Sequence, residues 1–164
     1  MSSIADRRAR GAPHVVWLWS LTTLFAFRVL AQLAQYATPS RFLPPFDAWQ
    51  GSGLSYPVLL ASQLLILAVM ILATRGVSRR ARASRRVGGW LIAIGCVYLA
   101  SMSARLVLGL TMLADVPWFA KPLPALFHMV LAGYVLTLGH YHWAGDERSS
   151  EEAVSPTPIS PDGD

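Results

Sequence analysis

Charge and cysteine are both scarce in this chain. Charged residues make up 14% of its 164 residues, and cysteine occurs once, at Cys96. A lone thiol excludes an internal disulfide, and without a cysteine pair there is no Cys-x-x-Cys redox, zinc or haem-attachment element. Cys96 lies inside an apolar run, where a thiol serves as a small core hydrophobe. No His-Glu-x-x-His pattern occurs, and nothing resembles a Ser-His-Asp group or a pair of catalytic carboxylates. The Gly51-x-Gly53 element follows no strand, so it does not read as a phosphate-cradling loop. These absences favour a non-enzymatic role.

Apolar residues, in contrast, reach 54% and fall into four blocks: Val15–Tyr36, Val58–Thr74, Val87–Leu113 and Ala125–His142. Each approaches the roughly 20 apolar residues that a membrane-crossing helix needs. The expected fold is an all-α integral membrane protein, a four-transmembrane-helix bundle built as two antiparallel hairpins. Its helices are predicted over 14–37, 57–74, 87–113 and 124–143, within a transmembrane domain of residues 13–143. The first run is too long for the apolar region of a signal peptide, and no small-residue cleavage site follows it. Residues 144–164 are polar and acidic, with little to bury, and are expected to be disordered.

The net charge of +5 is distributed in a way that argues against nucleic acid. Arg7, Arg8 and Arg10, the six arginines of Arg75–Arg86, and Arg148 all fall at one set of helix ends. Only Arg41 and Lys121 lie in the opposite loops. Cytoplasmic loops of membrane proteins carry such an excess of basic residues. Residues 1–12, the central arginine loop and the tail are therefore placed in the cytoplasm, giving a multi-pass bacterial inner-membrane protein with both termini inside. The arginine loop is also suited to anionic lipid headgroups.

Arg28, Gln32 and Gln35 follow one another by four and three residues and share one helix face. Lipid cannot satisfy such a stripe, so it belongs inside the bundle. Tyr98 and Arg105 share a face of the third helix, near Ser101. The outer loops, Thr38–Tyr56 and Ala114–Pro124, are rich in proline and aromatics, and the first reads as a compact cap on the bundle mouth. Each hairpin carries an arginine, a loop carboxylate, a proline and then a polar residue, which raises an internal repeat. At about 1.5 Å per residue, Arg28, Gln32, Gln63, Arg105 and His128 reach one depth in the outer half of the bilayer. Asp47 and Asp115 lie above them as candidate counter-ions.

An arginine at the centre of a membrane helix costs about 2.5–3.5 kcal/mol, so two at one level demand negative charge nearby. Either Asp47 and Asp115 supply it, or the layer is a pocket for an anionic lipid-like or quinone-like headgroup. A partner helix or a second copy of the chain is a further candidate occupant. A membrane redox protein is the alternative, using quinone or haem b, with His14 and either His140 or His142 as axial ligands. The third reading is a lipid-headgroup-modifying membrane enzyme, with His128 as base and the arginines holding phosphate. No metal site and no resident cofactor is expected.

The charge asymmetry generates a labelling test. In a Cys96→Ala background, Ser52→Cys and Lys121→Cys should react with an impermeant thiol reagent added outside the cell. Ser84→Cys and Ser155→Cys should react only after permeabilisation. The reverse pattern would invert the topology.

Overall fold

A computed structural model describes the backbone of residues 2–51, 53–79 and 83–154, and the side chains of 13–51, 53–79 and 83–145. It contains five helices: α1 (Ser2–Ala37), α2 (Phe46–Trp49), α3 (Tyr56–Ser78), α4 (Arg85–Thr111) and α5 (Pro122–Val154). No strand occurs among the described residues. Four of the helices are long and apolar enough to cross a membrane, over Pro13–Ala37, Tyr56–Ser78, Arg85–Thr111 and Pro122–Gly145.

Two segments differ from the expectation drawn from composition. Residues 2–12 are helical, with Pro13 lying inside α1. The acidic segment after Trp143 is also helical as far as Val154, whereas its polarity led to an expectation of disorder. Extending an existing helix avoids the nucleation penalty and adds one hydrogen bond per residue fixed. Ala144, Glu147, Glu151, Glu152 and Ala153 are all good helix formers. Residues 155–164 lie outside the described residues. The proline positions follow backbone chemistry: Pro57 occupies the first turn of α3, and α5 starts at Pro122, two residues before the predicted start. Prolines are tolerated there because the first turn leaves its N–H groups unpaired.

α1 runs along α5, with His14 against His140, and Arg28 further along α1 lies over Phe127. α5 packs along α4, where Gly88 faces Trp143 and Gly95 faces Leu136. α1 also packs on α3, whereas no Cα of α3 comes within 8 Å of one in α4 or α5 among the described residues. Leu18, Phe25, Val29, Met70, Val77 and Tyr134 form the buried apolar centre. Outward-facing Leu64, Leu65, Val69 and Leu72 of α3 are exposed, as are Trp90, Ile94, Val97 and Leu110 of α4. Apolar surface on this scale is unsuited to water and suited to lipid.

Small residues decide how closely α4 and α5 approach, as expected for helices that lack a water-driven force between them. A Cβ on Gly88 would lie 2.6 Å from the backbone nitrogen of Trp143 and 2.9 Å from the carbonyl oxygen of Gly139. One on Gly139 would lie 3.0 Å from the nitrogen of Ile92. Among the other small residues of α4, Gly95 and Gly109 are buried but Ala93, Ala100 and Ala104 are exposed. α3 is attached to α5 differently, through polar atoms. The Tyr134 hydroxyl donates to the Met70 carbonyl at 2.7 Å and lies 2.9 Å from the Thr74 hydroxyl, which then serves as donor to it.

The segment between α1 and α3 folds onto the adjoining end of the bundle. Trp49 of α2 is buried, its indole N–H donates to the Pro44 carbonyl at 3.0 Å, and its ring stacks near Phe127. Tyr36, Phe46 and Tyr56 form an aromatic cluster beside it, with centroids 4.3 to 5.4 Å apart.

These contacts separate two glycines of similar composition but different surroundings. Gly88→Ala should destabilise the detergent-solubilised protein by about 1–3 kcal/mol, because the Trp143 and Gly139 backbone atoms cannot move aside. Gly133→Ala has nothing within 4 Å of the added methyl and should be neutral or stabilising, since alanine is the better helix former. Thermal unfolding of the two variants reads the difference.

Candidate functional site

Arg28, Gln63, Arg105 and His128, contributed by α1, α3, α4 and α5, line one cavity of about 280 Å³. Gln32 lies directly beside it, fully buried, and its side-chain oxygen accepts from the Gln63 amide at 3.1 Å. The five polar-layer residues are thus brought to one place by four different helices. Gln35, the third member of the α1 stripe, turns elsewhere and accepts from the Ser40 backbone N–H at 2.9 Å, holding the start of the first outer loop.

The two arginines are held in parallel ways. Arg28, 7% exposed, donates to the Trp49 carbonyl at 3.3 Å and lies 5.4 Å from the centroid of the Phe127 ring. Arg105, 5% exposed, donates to the Trp118 carbonyl at 2.7 Å and stacks over that tryptophan's ring at 4.0 Å. Each guanidinium therefore reaches up to a tryptophan carbonyl in the loop that follows its own helix. Stacking on an aromatic face is a second favourable contact for a desolvated guanidinium.

Asp47 and Asp115 do not take the place proposed for them. Both are exposed, and the hydrogen-bond partners of Arg28 and Arg105 are main-chain carbonyls instead. The physical reason is local. Asp47 lies in the first turn of α2, where a carboxylate gains from the unpaired N–H groups of the helix start. The loops turn their backbone, and not their carboxylates, toward the bundle.

Several groups here lack partners. A guanidinium offers five N–H donors, yet each arginine makes a single hydrogen bond to protein. Arg105 Nε, Gln63 Oε1 and Gln32 Nε2 are buried without any. His128, on the cavity wall, is fixed by Tyr98, whose hydroxyl lies 2.6 Å from its Nδ1. When Tyr98 is the donor, the imidazole carries its proton on Nε2.

Some members were not singled out from sequence as part of the site. Trp49, Trp118 and Phe127 shape it through main-chain carbonyls and ring faces, which leave little trace in sequence. Tyr98 was placed on the Arg105 face, but its bond to His128 needs the α4–α5 register. Gly51 is another such residue. A Cβ there would lie 2.7 Å from Pro124 Cβ and 3.6 Å from the Arg105 guanidinium, so only a glycine lets the loop descend this far.

Of the candidate haem pairs, His14 and His140 are closed up against each other. His14 Nε2 and His140 Nδ1 are 2.9 Å apart, hydrogen-bonded, with rings stacked at a 19° interplanar angle. Two imidazoles sharing a metal at about 2.0 Å each would need roughly 4 Å between nitrogens, with a porphyrin between the rings. His142 Nδ1 is buried and unpartnered. No group of three or more His, Cys, Asp or Glu side chains able to hold a metal occurs among the described residues.

Comparison with protein-family models, curated proteins and solved structures finds no match. What this site does must be argued from its own geometry.

Because neither carboxylate reaches an arginine, Asp47→Asn and Asp115→Asn should each change unfolding stability by no more than about 0.5 kcal/mol, the range for surface substitutions. Loss of a buried ion pair would instead cost about 3–5 kcal/mol. A loss of that size, recovered by removing the arginine as well, would make the aspartates counter-ions.

Proposed function

We propose that this chain is a multi-pass membrane protein, two antiparallel helical hairpins with both termini in the cytoplasm, that binds an acidic headgroup in a cavity at outer-leaflet depth. The observation that carries this reading is the convergence of Arg28 and Arg105 on one cavity with no carboxylate between them. Two guanidiniums at one level of an apolar bundle are costly and repel one another. Neutral carbonyls orient them but do not offset their charge, whereas an anion between them does both. The basic residues at the N-terminal segment, the central loop and the tail orient the cavity away from the cytoplasm.

The remaining lining supports binding over other roles. Gln63 and the His128–Tyr98 pair add polar atoms that select an orientation, while Phe25, Ile66 and Leu131 make the rest of the wall apolar. A few convergent polar groups in an otherwise apolar cavity is the usual composition of a ligand site. A partner helix, about 10–12 Å wide with its side chains, is too large for this space. A second reading, an enzyme acting on the headgroup, is favoured by the Tyr98–His128 hydrogen bond: in the tautomer whose Nδ1–H donates to the Tyr98 hydroxyl, Nε2 is left as a general base beside the arginines. Turnover of a bound headgroup that His128→Gln abolishes without loss of binding would establish it.

The binding reading is tested by purifying the protein in mild detergent and identifying retained acidic molecules by mass spectrometry. An acidic lipid or quinone-type molecule should co-purify at near one per chain. Arg28→Gln and Arg105→Gln should each lower it at least tenfold, the loss of one charge-assisted contact of about 1.5–3 kcal/mol. Retention by both variants at the wild-type level would sink the proposal.

A further inference from the structure

Three features of the cavity walls bear on how an occupant enters, and through that on what it is. On the outer side the two loops close over it. Trp49 is buried against the bundle, the Gly51 backbone is pressed against Pro124, and the Trp118 ring lies on Arg105. Toward the inner side, the Tyr134 hydroxyl ties α3 to α5 through Met70 and Thr74. Between these closures no Cα atoms of α3 and α4 come within 8 Å of each other among the described residues. The cavity is lined from both of them, by Ser62 and Ile66 on one edge and Met102 on the other. Ser62 and Ile66 are exposed. The opening therefore faces sideways, along the apolar surface where lipid lies.

The charge and size of the cavity narrow the occupant further. Two guanidiniums, each with unused donors, match the fork geometry of phosphate oxygens. A neutral quinone ring would leave both charges without a counter-ion. A volume of about 280 Å³ is slightly below the roughly 300–1,000 Å³ of pockets that enclose a whole drug-sized ligand, which suits a headgroup whose chains remain outside. Measured along the helices at about 1.5 Å per residue, Arg28 lies about 13 Å below the outer end of α1 and Arg105 about 9 Å below that of α4. A headgroup at this depth leaves its chains to run between α3 and α4.

We infer that the cavity is a lateral lipid site: a phosphate-bearing membrane lipid enters between α3 and α4, its phosphate held by Arg28 and Arg105 and its chains left in the bilayer. This rests on the headgroup-binding reading above and adds the route and the ligand class.

The experiment uses the full chain in detergent and two probes, phosphatidylglycerol and its water-soluble counterpart glycerol 3-phosphate, with bound molecules counted by native mass spectrometry. The wild-type protein should take up phosphatidylglycerol, and millimolar glycerol 3-phosphate should not displace it. The double variant Ser62→Trp/Ile66→Trp fills the edge of the opening and should lower lipid uptake at least tenfold. Leu65→Trp, on the exposed α3 surface away from the cavity, should leave uptake unchanged. Thermal unfolding verifies that each variant is folded, and Met102→Trp, from the opposite edge, serves if the double variant is not. Lipid uptake that depends on Arg28 but is indifferent to both edge variants would overturn the lateral route and leave the headgroup reading standing. Displacement of the lipid by glycerol 3-phosphate would do the same. A wild-type protein that binds neither probe would overturn this inference, and the headgroup reading too if nothing acidic co-purifies.

Discussion

Two guanidinium groups inside an apolar helical bundle set the terms for everything around them. Arg28 and Arg105 are almost fully buried, and each is met by a tryptophan carbonyl descending from an outer loop. That requirement explains why the loops are compact. A carbonyl can reach a side chain well below the helix ends only if its loop folds into the mouth of the bundle. The prolines, the buried Trp49 and the close approach of Gly51 to Pro124 serve that descent. The aromatic rings brought down with the backbone then supply faces for the guanidiniums to lie against.

The same bundle holds its helices by two unlike means. α4 and α5 meet through glycines with their backbones nearly touching, a contact that leaves little room for rearrangement. α3 packs on α1 through the apolar centre, and polar atoms add to this: a tyrosine hydroxyl from α5 and a glutamine pair with α1. Side-chain hydrogen bonds between membrane helices contribute only about 0.6 kcal/mol on average, so they are the smaller part of what holds α3. This helix also forms one edge of the cavity. The parallel treatment of Arg28 and Arg105, each bonded to the loop after its own helix, gives the two halves of the chain a similarity that their residue identities scarcely show.

Some of this was legible in the sequence. Four apolar runs of spanning length can satisfy their backbones in lipid only as helices, so the number and type of the long elements followed from composition. The spacing of Arg28, Gln32 and Gln35 predicted a common face, and depth counted from the helix ends drew Gln63, Arg105 and His128 to the same level. Helical geometry is periodic and local, so both arguments needed no knowledge of neighbours. Helix ends were less legible: α1 and α5 extend into polar segments because propagation is cheap once a helix exists.

What the sequence by itself determined about this protein is the set of long helices, the polarity of their ends and the level of the polar layer. Each is a property of one segment and its solvent. Only the tertiary structure decided what the arginines touch, because Asp47 and Asp115 matched them in charge and the loop backbone, invisible as a sequence signal, met them instead. It also decided that His14 and His140 bond to each other, that Tyr98 holds His128, and that α4 brings its backbone against α5 rather than α3. Contacts between helices depend on rotation and register. These are settled by where glycines permit close approach and where polar atoms find partners, a competition among all the helices together.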